Sequence, residues 1–138
     1  MISTLQTPPM TPALWGLVIF ILWIIAVVVG LITVRIRHLS AGGSPKDFGT
    51  PDDASLLWRL FRVQSNLVEN LPLYLGVVLL LTVRGVSGIE VNGLVGVYIG
   101  ARLVHSGIHI AGLNPIFRVV CLGIQFICLM VLTVLAVF

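Results

Sequence analysis

Charge is scarce in this sequence. Eight basic and five acidic residues make up 9% of 138 positions, where a soluble chain carries about a quarter. That scarcity excludes an ordinary soluble domain. Cysteine is nearly absent too: Cys121 and Cys128 are the only two, seven apart in an apolar run, which suits two buried free thiols better than a disulfide or a metal knuckle. The net charge is only +3, and the basic residues are dispersed with no interleaved aromatics, so nucleic acid is not an expected partner. No basic residue precedes the first apolar run, and the Thr33-Val-Arg-Ile-Arg37 exit lacks a small-residue cleavage pattern. The run therefore reads as a retained span rather than a signal peptide.

What is present is hydrocarbon. The chain is 58% hydrophobic with a mean hydropathy of +1.12, which marks an integral membrane protein. Spans of about 20 residues use most of the length, so the expected fold is all-α: one four-span transmembrane domain folded as a four-helix bundle. The expected helices cover about 12–38, 53–83, 91–113 and 115–138. Thr11 and Pro12 suit a cap and first turn, and the Gly- and Pro-rich stretch 40–53 reads as the one long polar loop. Pro51, Asp52 and Asp53 fit the positive start of the second helix. Pro72 interrupts that helix's hydrogen-bond ladder just past Glu69. Gly93, Gly96 and Gly100 permit close helix contact, and Asn114-Pro115 ends the third helix.

Orientation follows from the flanks. Arg35, Arg37, Lys46, Arg59 and Arg62 surround the first loop, against Arg84 alone at the second, which predicts a cytoplasmic first loop and both termini outside, in a cell inner membrane.

Within the apolar segments the polar residues are patterned. Arg59, Arg62, Asn66 and Glu69 recur at spacings of three, four and three and so share one helical face. Facing hydrocarbon, an arginine costs about 2.5–3.5 kcal/mol or more; the stripe must face protein, a partner or a watery cleft. Glu69 lies about 15 Å along the axis from Arg59, and Arg102 roughly 17 Å from Leu113, at about 1.5 Å per residue. Their depths match. Arg102, His105 and His109 descend to this level on the third helix, Arg118 enters the fourth there, and Arg35 and Arg37 leave the first. A guanidinium-rich level with Glu69 as its one acid suits an anionic ligand with planar carboxylates. The same groups also serve as interhelical fasteners, and the residues alone leave both readings open. Glu69 either neutralises Arg102 or Arg62 or receives a ligand's ammonium group. No thiol or aspartate joins His105 and His109 at ligand spacing, so no metal is expected. Cys121, Gln125 and Cys128 read as packing residues. A small transporter is disfavoured by the lack of an internal repeat.

Arg62-Val-Gln-Ser-Asn66-Leu-Val-Glu69-Asn-Leu-Pro72 resembles the Arg-x-x-x-Asn-x-x-Glu-x-x-Pro signature of the membrane-associated proteins in eicosanoid and glutathione metabolism, the MAPEG family. Arg102-x-x-His105-x-x-x-His109, followed by Arg118, extends the likeness toward its microsomal glutathione transferase and prostaglandin E synthase-like members. The resemblance implies a homotrimer that binds reduced glutathione between subunits near the cytoplasmic side, with lipid and lipophilic small molecules as its other partners. It assigns Arg62, Asn66 and Glu69 to glutathione from the second helix. Arg35 or Arg37, Arg102, His105 and Arg118 contribute from the others, and His109 stands at a contacting tyrosine of the synthase branch. The chain departs from that branch at His109, at Val119 for a serine, at Ser65 for a basic residue and at Leu122 for a tyrosine. A thiol reacts as its thiolate, which cations stabilise, and this makes Arg118 the catalytic candidate. The implied activity is glutathione-dependent transfer or peroxide reduction on lipophilic electrophiles; a non-catalytic lipid-binding or scaffold trimer is the alternative.

Overall fold

The computed structural model describes residues 7–138. Four helices, each long and apolar enough to cross a membrane, form an all-α bundle. These are α1 (Pro12–Ser40), α2 (Leu56–Arg84), α3 (Ile89–Ala111) and α4 (Pro115–Val137), with a short 3-10 turn at Pro45–Gly49.

Local chemistry sets the ends. Thr11 caps α1, its hydroxyl accepting from the Leu14 amide at 3.3 Å, and Asn114 caps α4 by accepting from the Ile116 amide at 3.0 Å. The second helix starts at Leu56 instead of Asp53, because the Asp52 carboxylate accepts from the Ala54 amide and its carbonyl from Ser55, which closes a separate turn. The third starts at Ile89 and stops at Ala111, where Gly112 takes a left-handed φ of 69° that a side chain would resist. Pro72 lies within α2, and the helix continues through it to Arg84.

Two arginines tie α2 to the ends of helices that follow much later in the chain. Arg59 donates from Nε to the Ile110 carbonyl at 3.0 Å and from Nη1 to the Asp53 carbonyl at 2.9 Å. Arg84 donates to the carbonyls of Ala136 and Val137 at 3.3 and 3.4 Å. Each cation sits at the negative end of a helix dipole, the favourable place for it.

The core centres on an aromatic stack. Tyr74 and Tyr98 lie 5.0 Å apart at 4°, and Phe20 stacks on both. The Tyr74 hydroxyl donates to the Ala13 carbonyl at 2.8 Å, and Gly16 makes that possible. A Cβ there would strike the Tyr74 hydroxyl and approach Val95 and Ile99 at 3.1 and 3.2 Å. The expected close-contact glycines behave differently: Gly93, Gly96 and Gly100 have nothing within 4 Å of a Cβ. Their face of α3 is open in the single chain.

The polar loop is clasped. His38 and Asp47 pair at 2.8 Å, and Asp47 also accepts from the Ser44 amide at 3.1 Å. Arg35 lies over the rings of Phe48 and Phe61 at 4.9 and 5.7 Å, which pins the turn to α2.

Gly16→Ala should push the Tyr74 hydroxyl off the Ala13 carbonyl and lower stability by about 1–3 kcal/mol. Thermal unfolding in detergent reads this as a reduced midpoint; an unchanged midpoint would refute the contact. The His38 side chain and then the Ser44 amide hold the Asp47 carboxyl below its usual range. The clasp is therefore complete above the ordinary aspartate range and is lost as pH falls through the lowered value. The Ser44 amide shift should titrate below about pH 3.9 and stop titrating in Asp47→Asn, while a midpoint at or above that of a free aspartate contradicts the pairing.

Candidate functional site

Three helices converge at the loop end of the bundle. Arg62 and Asn66 are one turn apart on α2, as are His105 and His109 on α3 and Arg118 and Leu122 on α4, so each pair shares a face. With Pro115 and Val119 they line a cavity of about 220 Å³. A second hollow of about 130 Å³ adjoins it through His109, Pro115 and Arg118, and is walled by Asp53, Arg59, Gly112 and Leu113. The first cavity offers two guanidinium groups, two imidazoles and an amide and has no carboxylate in its lining. Its electrostatics favour an anion.

Behind this cavity stands Arg102, only 1% exposed. Its Nη1 donates to the Asn66 side-chain oxygen and lies 3.5 Å from His105 Nδ1. Asn66 is the hinge of the arrangement, since its backbone carbonyl also accepts from the buried Asn70 amide at 2.8 Å. The depth match expected between Glu69 and Arg102 is displaced by one turn. Asn66 meets the guanidinium, while Glu69 is exposed at the flank of α2.

The sequence candidates thus divide into two groups. Arg62, Asn66, His105, His109 and Arg118 come together, with Arg102 in support. Glu69, Arg35 and Arg37 do not line the cavity in a single chain. Arg35 is occupied with Phe48 and Phe61, and Arg37 is exposed at the end of α1. Arg62, also exposed, leans over the Trp58 ring at 5.9 Å. Arg59, which opens the polar stripe, is committed to the end of α3. Among the described residues the one ion pair is His38 with Asp47, and no three His, Cys, Asp or Glu side chains converge as a metal set. Cys121 and Cys128 are buried free thiols.

Two further residues belong to this region, and of these the sequence pattern marks Gln125 only as packing. Gln125, 1% exposed, donates to the Ala101 carbonyl at 3.3 Å, and Tyr98 faces Arg102 from one turn earlier on α3. The helical spacing of Gln125 from Arg118, two turns along α4, was the available signal.

Beyond the polar cavity an open apolar groove of about 710 Å³ follows the same seam between α2 and α4, lined by Pro72, Leu73, Gly76, Phe126 and Met130 among others.

The MAPEG family profile matches residues 13–138. The chain belongs to the MAPEG family. The match spans all four helices, and so includes every group just described. No curated protein and no solved structure matches the chain significantly.

Removing the Asn66 side chain should strand the Arg102 Nη1 donor. Asn66→Ala is expected to lower stability by about 1–2 kcal/mol, read as a drop in the unfolding midpoint in detergent. Equal stability of variant and native protein would show that Arg102 has another acceptor.

Proposed function

We propose that this MAPEG protein is a homotrimeric glutathione-dependent transferase or peroxidase that acts on small lipophilic electrophiles. The observation that carries this reading is the convergence of Arg62, Asn66, His105, His109 and Arg118 on one cavity at the loop end of the bundle, with no carboxylate in its lining to neutralise the two arginines. Cations held there without a counter-charge are suited to a ligand that brings its own negative groups.

In this reading reduced glutathione is a substrate, and the residues divide the work. Arg62 grips a carboxylate bidentately, Asn66 offers an acceptor or donor between α2 and Arg102, and His105 and His109 line the peptide. Arg118, facing both hollows, holds the sulfur as thiolate without having to give up a proton. In conjugation the thiolate forms a carbon–sulfur bond as the electrophile's leaving group departs or its strained ring opens. In peroxide reduction two thiols become a disulfide while the peroxide becomes an alcohol and water. The apolar groove along the α2–α4 seam supports an apolar second substrate.

The single chain also supports assembly. Glu69 and Arg62 are exposed on α2, a helix long and apolar enough to cross a membrane, and a neighbouring copy is the partner that removes them from lipid. Glu69 then receives the peptide's ammonium group or orients an arginine, and Arg35 or Arg37 reaches the site from the neighbour. The basic loop end is assigned to the cytoplasm from the arginine count; ready labelling of a cysteine introduced at 40–53 by an impermeant outside reagent would reverse that assignment.

A scaffold trimer that binds lipid without turnover is the second reading, favoured by His109 and Val119, where the synthase-like pattern has tyrosine and serine. Calorimetric titration separates the two, using a purified complex whose mass equals three chains. Reduced glutathione and an analogue lacking the thiol should both bind, and Arg62→Ala should weaken binding by roughly tenfold or more. Arg118→Ala should reduce turnover more than affinity. No binding of either ligand at millimolar concentration would leave the scaffold.

A further inference from the structure

The guanidinium of Arg102 uses only one of its nitrogens toward Asn66 and His105. Its other edge, Nε and Nη2, is buried without a hydrogen-bond partner. The same is true of Tyr98 Oη and Gln125 Oε1, and all three side chains are at most 1% exposed.

Their positions on the helices put these orphaned atoms at one level. Gln125 Nε2 donates to the Ala101 carbonyl, which holds its head against the residue preceding Arg102. Cys128, one turn farther on α4, stands beside Tyr98, one turn back on α3. Antiparallel α3 and α4 therefore place Gln125 opposite Arg102, and Tyr98 adjoins them on the same face. The Gln125 amide cannot turn over without setting its oxygen against the Ala101 carbonyl, so Oε1 is left as an acceptor. The Tyr98 hydroxyl faces the guanidinium without a hydrogen bond of ordinary geometry.

We propose that Arg102 Nε and Nη2, Tyr98 Oη and Gln125 Oε1 form a buried water-binding site in the membrane interior. A water oxygen accepts two bonds from the guanidinium edge, and its hydrogens go to Gln125 and Tyr98. Every orphan is then satisfied by one molecule with the two to four partners that buried water needs. Gln125 and Tyr98 are thereby positioning residues: through the water they fix the plane of Arg102, and its remaining nitrogen is aimed at Asn66 and the cavity. This assignment is independent of which ligand the cavity takes.

The test is nuclear magnetic resonance of ¹⁵N-arginine-labelled protein in micelles, with the Arg102 Nε–H signal identified by its loss in Arg102→Lys. In the native protein this signal should receive magnetisation from water despite its burial. Gln125→Leu should abolish the transfer, and Tyr98→Phe, which keeps the aromatic stack, should weaken it severalfold; the lipid-facing control Ile127→Leu should leave it unchanged. Should Gln125→Leu fail to fold, Tyr98→Phe carries the test. Absence of transfer in native protein, or equal transfer in both variants, overturns the proposal. So does an Nε–H shift that follows added chloride, which would place an anion at the guanidinium edge.

Discussion

An arginine with almost no solvent exposure, inside a bundle that crosses a membrane, is the constraint from which most of this architecture follows. A guanidinium in hydrocarbon is tolerable only where polar groups surround it. Arg102 donates to Asn66 of α2 and meets His105 on its own helix, while Gln125 of α4 is fastened to the neighbouring Ala101 carbonyl. Housing that one side chain brings α2, α3 and α4 to a common level and turns their polar faces toward one another. The cavity in front of it is a by-product of the same geometry: Arg62, His109 and Arg118 are each one turn or more nearer the loop end on those faces.

The helices and the composition of the cavity were legible in the sequence because both depend on spacing. Apolar runs of sufficient length announce spans, and side chains three or four apart must share a face. Pairwise partners were less legible. Glu69 and Asn66 lie three residues apart on one stripe, and an axial depth estimate resolves no better than a turn, so nothing in the pattern chose Asn66 for Arg102. Arg35 and Arg59 were indistinguishable from cavity arginines because their roles depend on Phe48 in a turn and on the last carbonyls of α3. Gly16 was silent: one glycine in a long apolar run gains meaning only when Tyr74 arrives against it.

The bundle separates two kinds of work along its length. Toward one end, Phe20, Tyr74 and Tyr98 stack into a buried aromatic centre, with the Tyr74 hydroxyl bonded to the Ala13 carbonyl. Toward the other, charged groups gather beside a loop held by the His38–Asp47 clasp. Tyr98 belongs to both, with its ring in the stack and its hydroxyl at Arg102. A rigid apolar platform thus sits directly behind a polar site, the arrangement that keeps such a site in register.

The pairing of α2 with later helices bears on how the protein is made. Arg59 finds its acceptor 51 residues on, Arg84 finds one 52 residues on, and Asn66 meets its donor 36 residues on. A helix that leaves the ribosome and enters the bilayer ahead of α3 and α4 therefore carries unmatched polar groups, and it keeps them until its successors arrive. During biogenesis α2 is the segment with most need of a sheltered environment: α3 brings the partners of Arg59 and Asn66, and α4 the last acceptors, those of Arg84.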